Sequence, residues 1–299
     1  IYVAGYMPHT FIISSPNGDI LRQPIDAIRR QTGYPLLADR SVYDNDHFIW
    51  IWQGRQGLML YQREDDSVES VPFSCDRTIQ HCSLGGIWAS FGSSIYHLWQ
   101  IDGTIHQDET IKVPEEAHIR CMYEKAGEAL YFATDSTLYR LTLAGLQLST
   151  MASIPNAPHD IALGRDGTIY LALGNGGIWQ VTLAGDVQRM DQSHESFLSV
   201  CTLADGSVWT STSEGNVYHY SPANGKLSRE SLLCSTNKAA VKSIRVDGLG
   251  HIWTMTDQEV CEYAPQTHAF RTFRSSVFVN YFISEIYVLN GRKVMTWIL

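Results

Sequence analysis

Seven side chains in this sequence could meet an anionic or polyhydroxylated ligand: Arg40, His81, Arg120, His159, Asp160, Ser199 and Lys242. Guanidinium and ammonium groups recognise carboxylate and sulfate, while hydroxyl and carboxylate groups hydrogen-bond to polyols. Sequence patterns suited to catalysis are weaker. His159-Asp160 couples a base to an acid, but adjacent residues of a strand point to opposite faces. His194-Glu195 lacks the second histidine of an H-E-x-x-H zinc motif. Asp44-Asn45-Asp46 has the composition of a cation site without the glycine and distal glutamate of a calcium loop. There is no G-x-S-x-G, Walker phosphate loop or dinucleotide fingerprint. The expected catalytic set is therefore empty, and neither a metal nor another cofactor is expected.

The seven groups can act together only if the chain places them at equivalent positions, and a repeat does so. One aromatic marker recurs at Trp50, Trp88, Tyr131, Tyr170, Trp209 and Trp253, at steps of 38, 43, 39, 39 and 44 residues. A turn precedes each marker, as at Asp166-Gly167 and Asp205-Gly206, and a further strand begins about eight residues later. Leu58, Ile95, Leu138, Ile178, Val217 and Val260 open those strands. A second turn, such as Asp102-Gly103 or Ala184-Gly185, leads to a fourth strand. Four antiparallel strands per repeat with almost no helical periodicity predict an all-β fold, a β-propeller of four-stranded blades. The count favours seven blades, with six or eight as alternatives.

The chain reads as one domain over 1–299, its terminal strands sharing the closing blade. Thr10–Leu21 supplies outer strands, residues 1–6 a second strand, and Phe282–Leu289 a first strand. Lys293–Leu299 reads as a further strand, so a two-plus-two closure stays open. Aligning the repeats on their turns puts the seven candidate residues at or near one rim, where first strands begin. The marker rings are expected to be packing material, because both faces of a blade are covered by neighbours. Trp52 and Trp179, off the marker position, are more open to a surface role. The aspartates of Asp166-Gly167 and Asp205-Gly206 are expected to form turns. The longest connection, over Pro24–Asp39, is expected to be a solvated loop.

Composition narrows the partners. The chain of 299 residues carries a formal net charge of −9 and is 44% hydrophobic. Excess negative charge without a basic run argues against nucleic acid. No uninterrupted apolar stretch reaches membrane-spanning length, so direct membrane insertion is not expected. Six scattered cysteines without C-x-x-C fit buried thiols better than zinc or a dense disulfide framework. Cys75 and Cys82 flank a short segment and leave a pairing open. The first residue is Ile1, which suggests a part of something longer.

DGSVWTSTSEGNVYHY at 205–220, GHIWTMTDQEVCEY at 250–263 and DHFIWIWQGRQGLMLY at 46–61 resemble the repeat of the two-component regulator propeller family. That repeat runs roughly D-x-x-G-x-x-W-x-x-T-x-x-G-hydrophobic-x-x-Y. DGTIYLALGNGGIWQV at 166–181 keeps the frame but has Tyr170 for Trp and Leu173 for Thr; the repeat at 126–141 is degenerate. The resemblance implies the periplasmic or extracytoplasmic sensor portion of a hybrid two-component system. Such a module answers a carbohydrate or other external cue and signals to a histidine kinase outside this chain. It implies as partners an oligosaccharide or other small ligand, and a homodimer or second propeller of the same sensor. PHDIALGRDGTIYLALGNGGIWQVTLAG, at 158–185, is also similar to streptogramin lyase and lactonase-like propellers, which implies a metal-dependent enzyme as the alternative. A passive protein-interaction scaffold is the third reading.

Overall fold

The computed structural model describes residues 9–14, 19–24, 40–44, 47–54, 57–62, 64–65, 67–108, 110–114, 116–230, 241, 243–256, 260–273, 283–289 and 293–298. Among them every regular element is a strand, and no helix is long and apolar enough to cross a membrane. Strands β1 (His9–Ser14) and β2 (Asp19–Pro24) come first and pair as a hairpin. One sheet joins β3 (Arg40–Tyr43), β4 (Phe48–Gln53), β5 (Gly57–Gln62) and β6 (Ser67–Ser70). The next joins β7 (Ile79–His81), β8 (Ile87–Phe91), β9 (Ser94–Ile101) and β10 (Thr104–Gln107). Its β9 also takes the short β11 (Ile111–Lys112).

Four further sheets follow, each in chain order. They are β12 (Cys121–Lys125), β13 (Ala129–Ala133), β14 (Thr137–Thr142) and β15 (Gln147–Ser153); then β16 (Asp160–Leu163), β17 (Ile169–Ala172), β18 (Ile178–Val181) and β19 (Val187–Arg189). The sixth holds β20 (Phe197–Thr202), β21 (Val208–Thr212), β22 (Val217–Ser221) and β23 (Lys226–Glu230). The seventh holds β24 (Ser243–Val246), β25 (Ile252–Met255), β26 (Val260–Ala264) and β27 (Ala269–Phe273). Finally β28 (Ile283–Leu289) and β29 (Lys293–Ile298) join the first hairpin, in the order β2-β1-β29-β28. The described residues thus form six four-stranded sheets and one of five, all antiparallel: the fold is the β-propeller expected from the repeat.

In the sheet shared by the two chain ends, β29 occupies the second place expected for residues 1–6, which lie outside the described residues. Residues 25–39, the expected loop, lie outside them too. The strands divide into two compact units, 1–116 with 280–299, and 117–279.

All six markers sit on second strands and are buried. Four of them pack against a neighbouring sheet of their own unit. Trp50 packs with Ile79, Ile87 and Leu98 of the β7–β11 sheet, and Tyr131 with Ile161, Ile169 and Leu171 of the β16–β19 sheet. Tyr170 meets Phe197 and Val208, and Trp209 meets Ile244 and Ile252. Removing such a ring from water contributes on the order of 2–3 kcal/mol, so the rings fasten sheet to sheet. The two off-marker indoles are structural as well. Trp52 Nε1 donates to the Cys75 carbonyl at 2.9 Å, and Trp179 Nε1 to the Gly176 carbonyl at 2.8 Å.

Cys75, Cys82, Cys121, Cys201 and Cys261 are not in disulfides, so the open pairing of Cys75 with Cys82 is not made. Burial, with the nearby Asp76 charge, pushes the Cys75 thiol up to about 12, partly offset by a backbone hydrogen bond with Ser90. Burial likewise puts Cys201 at about 12. Neither is a nucleophile at neutral pH.

Candidate functional site

Within the second unit, first strands β12, β16, β20 and β24 lie side by side in that order. Asp160 opens β16, Ser199 stands in β20 and Arg245 in β24, and the three side chains meet across three sheets. Asp160 Oδ2 accepts from Ser199 Oγ at 2.7 Å, from the Val200 amide at 3.1 Å and from Arg245 Nη1 at 2.9 Å. Ser199 Oγ in turn accepts from the Ile244 amide at 3.2 Å and from Arg245 Nη1 at 2.8 Å. That nitrogen also donates to the Ile244 carbonyl at 2.8 Å. Thr210 Oγ1 closes the network on the Ser199 carbonyl at 2.8 Å.

The arrangement selects against nucleophilic chemistry. Ser199 is 2% exposed, so a substrate cannot reach its hydroxyl. The carboxylate it faces already accepts from the Arg245 guanidinium and the Val200 amide. What the network does well is lock neighbouring sheets together. Its Asp160 and Arg245 side chains retain 17% and 32% exposure, which lessens the desolvation cost of the pair.

The remaining candidates stand apart from this network. His159 directly precedes β16 and is exposed, its ring lying against the backbone of Gly174. No hydrogen bond joins it to Asp160, as expected for strand neighbours on opposite faces. Arg120, just before β12, is exposed and pairs with Asp135 Oδ1 through Nε at 2.5 Å. Arg40 opens β3 in the first unit. His81 corrects the alignment: it ends β7 rather than beginning it, beside the 82–86 turn, with Nε2 3.2 Å from the Asp44 carbonyl. It therefore lies at the opposite end of its strand from the rim positions. Lys242 lies outside the described residues.

Arg245 was not among the expected residues. The signal was present, because the position opposite the marker holds Val42, Gln80, Tyr123, Ala162 and Cys201 in the other sheets and a cation only here.

One group among the described residues has the makeup of a metal site: Asp247, His251 and Glu262, with ligand atoms within 4.8 Å of one another. Its atoms are largely committed to the turn they stabilise. Asp247 Oδ1 accepts from the amides of Leu249 and His251, both at 2.9 Å, and Oδ2 accepts from Trp253 Nε1 at 2.9 Å. His251 Nδ1 lies 2.7 Å from Glu262 Oε1. This explains the D-x-x-G-x-x-W spacing physically. The aspartate caps its own turn and catches the indole six residues on, as Asp44 Oδ2 does with Trp50 Nε1 at 3.3 Å. Asp44 Oδ1 also accepts from the Gly86 amide of the next sheet at 2.8 Å, so the Asp44 carboxylate is a structural anchor; residues 45 and 46 lie outside the described residues.

The His194-Glu195 pair resolves the same way. Glu195 accepts from Tyr218 Oη at 2.6 Å and Asn216 Nδ2 at 2.8 Å. Partial burial opposes its ionisation, but those hydrogen bonds prevail and hold its carboxyl below the usual range.

The family model for strictosidine synthase-like N-terminal domains matches residues 142–181, about one repeat. No curated protein sequence matches the chain. Virginiamycin B lyase from Staphylococcus aureus superposes with a TM-score of 0.65 at 14% identity, over 87% of this chain and 94% of that one. The extracellular domain of the hybrid two-component system BT4673 from B. thetaiotaomicron gives 0.65 at 18% identity, over 87% of this chain. That of BT3049 from the same organism gives 0.63 at 15%, over 88%. The chain spans 37% and 39% of the lengths of those two sensor domains. At such identities the shared property is architecture: the chain is a β-propeller that resembles the extracellular domains of hybrid two-component systems.

Proposed function

We propose that this chain is an extracytoplasmic ligand-sensing module of a hybrid two-component system, periplasmic in location, which signals to a histidine kinase elsewhere in the full protein. The observation that carries the reading is the aspartate-to-indole bond six residues apart, made by Asp247 and Trp253 within D-x-x-G-x-x-W and again by Asp44 and Trp50, where His47 stands in place of the glycine. The likeness to two sensor ectodomains supports it. The ligand is an oligosaccharide, met by polar groups at the heads of adjacent first strands, where Arg120 and His159 are exposed. A second propeller of the same sensor or a second copy of the chain is the protein partner. Calorimetry against a glycan panel tests this: saturable binding of one oligosaccharide, lost in Arg120→Ala or His159→Ala, is the expected result.

The likeness to a lyase covering 94% of that enzyme favours a second reading, a metal-dependent propeller enzyme. Turnover of a lactone or depsipeptide that stops on chelation would replace the sensor with that enzyme.

A further inference from the structure

A second concavity lies in the same unit, apart from the rim. Between the β16–β19 and β20–β23 sheets, at the end where first strands turn into second strands, lies a cleft of about 600 Å³. That size falls in the range of small-ligand pockets. Its walls include Arg165, Asp166, Tyr170, Asp205, Tyr220 and Pro222.

The walls hold both signs of charge, each with unused capacity. Arg165 is exposed and forms no ion pair among the described residues. Asp205 Oδ1 accepts from the Ser207 amide at 2.9 Å and from Ser207 Oγ at 2.6 Å, which leaves Oδ2 without a partner among the described residues. Asp166 is held through both oxygens, Oδ1 accepting from the Thr168 amide at 3.0 Å and Oδ2 from Thr168 Oγ1 at 2.9 Å. The turns thus fix both carboxylates before any ligand arrives. Partial burial opposes ionisation of Asp205, yet the Ser207 bonds and nearby His219 keep its carboxyl below the usual range. The phenol of Tyr170 is pushed up to about 12, by burial first and then by Asp166 and Tyr220.

A neutral polyol would leave these charges uncompensated. An anion would face two carboxylates, and a simple cation would meet Arg165. We infer that the cleft binds a small zwitterion of the α-amino acid class. Its ammonium lies among Asp205, Asp166 and the phenol rings, and its carboxylate lies on the guanidinium of Arg165. Ammonium groups are stabilised by carboxylates and by aromatic faces, and a guanidinium grips a carboxylate through two parallel hydrogen bonds.

The test is calorimetry of the full chain with four probes: L-phenylalanine, N-acetyl-L-phenylalanine without the ammonium, L-phenylalaninamide without the carboxylate, and glucose. L-phenylalanine is expected to bind saturably, with each blocked analogue about tenfold weaker or more. Arg165→Gln removes the preference over the amide, and Asp205→Asn removes the preference over the acetyl compound. Both substitutions are at exposed positions, and Asn keeps the turn acceptor; unchanged thermal melts confirm intact folding. Equal binding of L-phenylalanine and its blocked forms, binding of glucose that Arg165→Gln abolishes, or no saturation by L-phenylalanine at about 10 mM would each overturn the assignment. A glycan bound at the rim leaves these outcomes unaffected, so the two readings fail separately.

Discussion

Replacing Asp160 by alanine takes the counter-charge out of the network that joins β16, β20 and β24. Three donors lose their shared acceptor: the Ser199 hydroxyl, the Val200 amide and the Arg245 guanidinium. A hydrogen bond to a charged group contributes about 1.5–3 kcal/mol, and breaking a buried ion pair from one side costs about 3–5 kcal/mol. Arg245 retains 32% exposure and keeps its bonds to Ser199 and the Ile244 carbonyl, so water and those partners offset part of the loss. The expected destabilisation is about 2–4 kcal/mol. Urea unfolding of the wild type, Asp160→Ala, Arg245→Met and the double variant would measure it as a cycle. The double variant should cost less than the sum of the singles by about 1–3 kcal/mol, because it leaves no charge behind. A single-variant loss under about 0.5 kcal/mol with zero coupling would mean that the contact is ornamental and the sheets are held by their apolar faces alone.

Three other perturbations probe different features. Gly86 has a φ of +77°, and an added Cβ would run into the Leu98 carbonyl oxygen; Gly86→Ala should therefore cost several kcal/mol, on the order of 2–4, read as a lowered urea midpoint. Trp209 Nε1 is buried without an acceptor because Leu203 occupies the place that Asp247 holds before Trp253. Trp253→Phe should then cost about 1–2 kcal/mol more than Trp209→Phe, and equal losses would contradict the role given to the aspartate. Asp191 has a carboxylate 2% exposed, and burial opposes its ionisation. Bonds from Arg189, the Ile178 amide and Ser193 nevertheless hold it below its ordinary 3.8. Its contribution is complete above that ordinary value and is lost as pH falls through the lower folded one. The stability gap between wild type and Asp191→Asn should therefore be constant near neutrality and shrink on acidification below about 4; a gap that widens in acid would contradict this.

Much of the fold was legible because its signals are local. Asp166-Gly167 and Asp205-Gly206 announce their turns within two residues, and the aspartates bond as Asx turns should. The markers fall on second strands because the repeat fixes their distance from those turns. The candidate site was less legible because its contacts run between sheets, and their relative height depends on connections of unequal length. Asp160 and Ser199 lie 39 residues apart and Arg245 a further 46, yet they share one network. His81 was misplaced because β7 has only three residues, so a small slip in alignment moves a side chain from one end of the strand to the other. Asp247 shows the converse: its spacing to Trp253 was in the motif, but its role as an indole acceptor needed coordinates.

The order β2-β1-β29-β28 has a consequence for biosynthesis. The hairpin made first leaves the ribosome with one edge open, and β29 follows only after roughly 270 more residues, on the order of 15–60 s of translation. Throughout that interval an unpaired ribbon edge can recruit a strand from another nascent copy. The vulnerable period of this protein is thus its synthesis, and slowing elongation ahead of Lys293 should raise the aggregated fraction without altering the finished molecule.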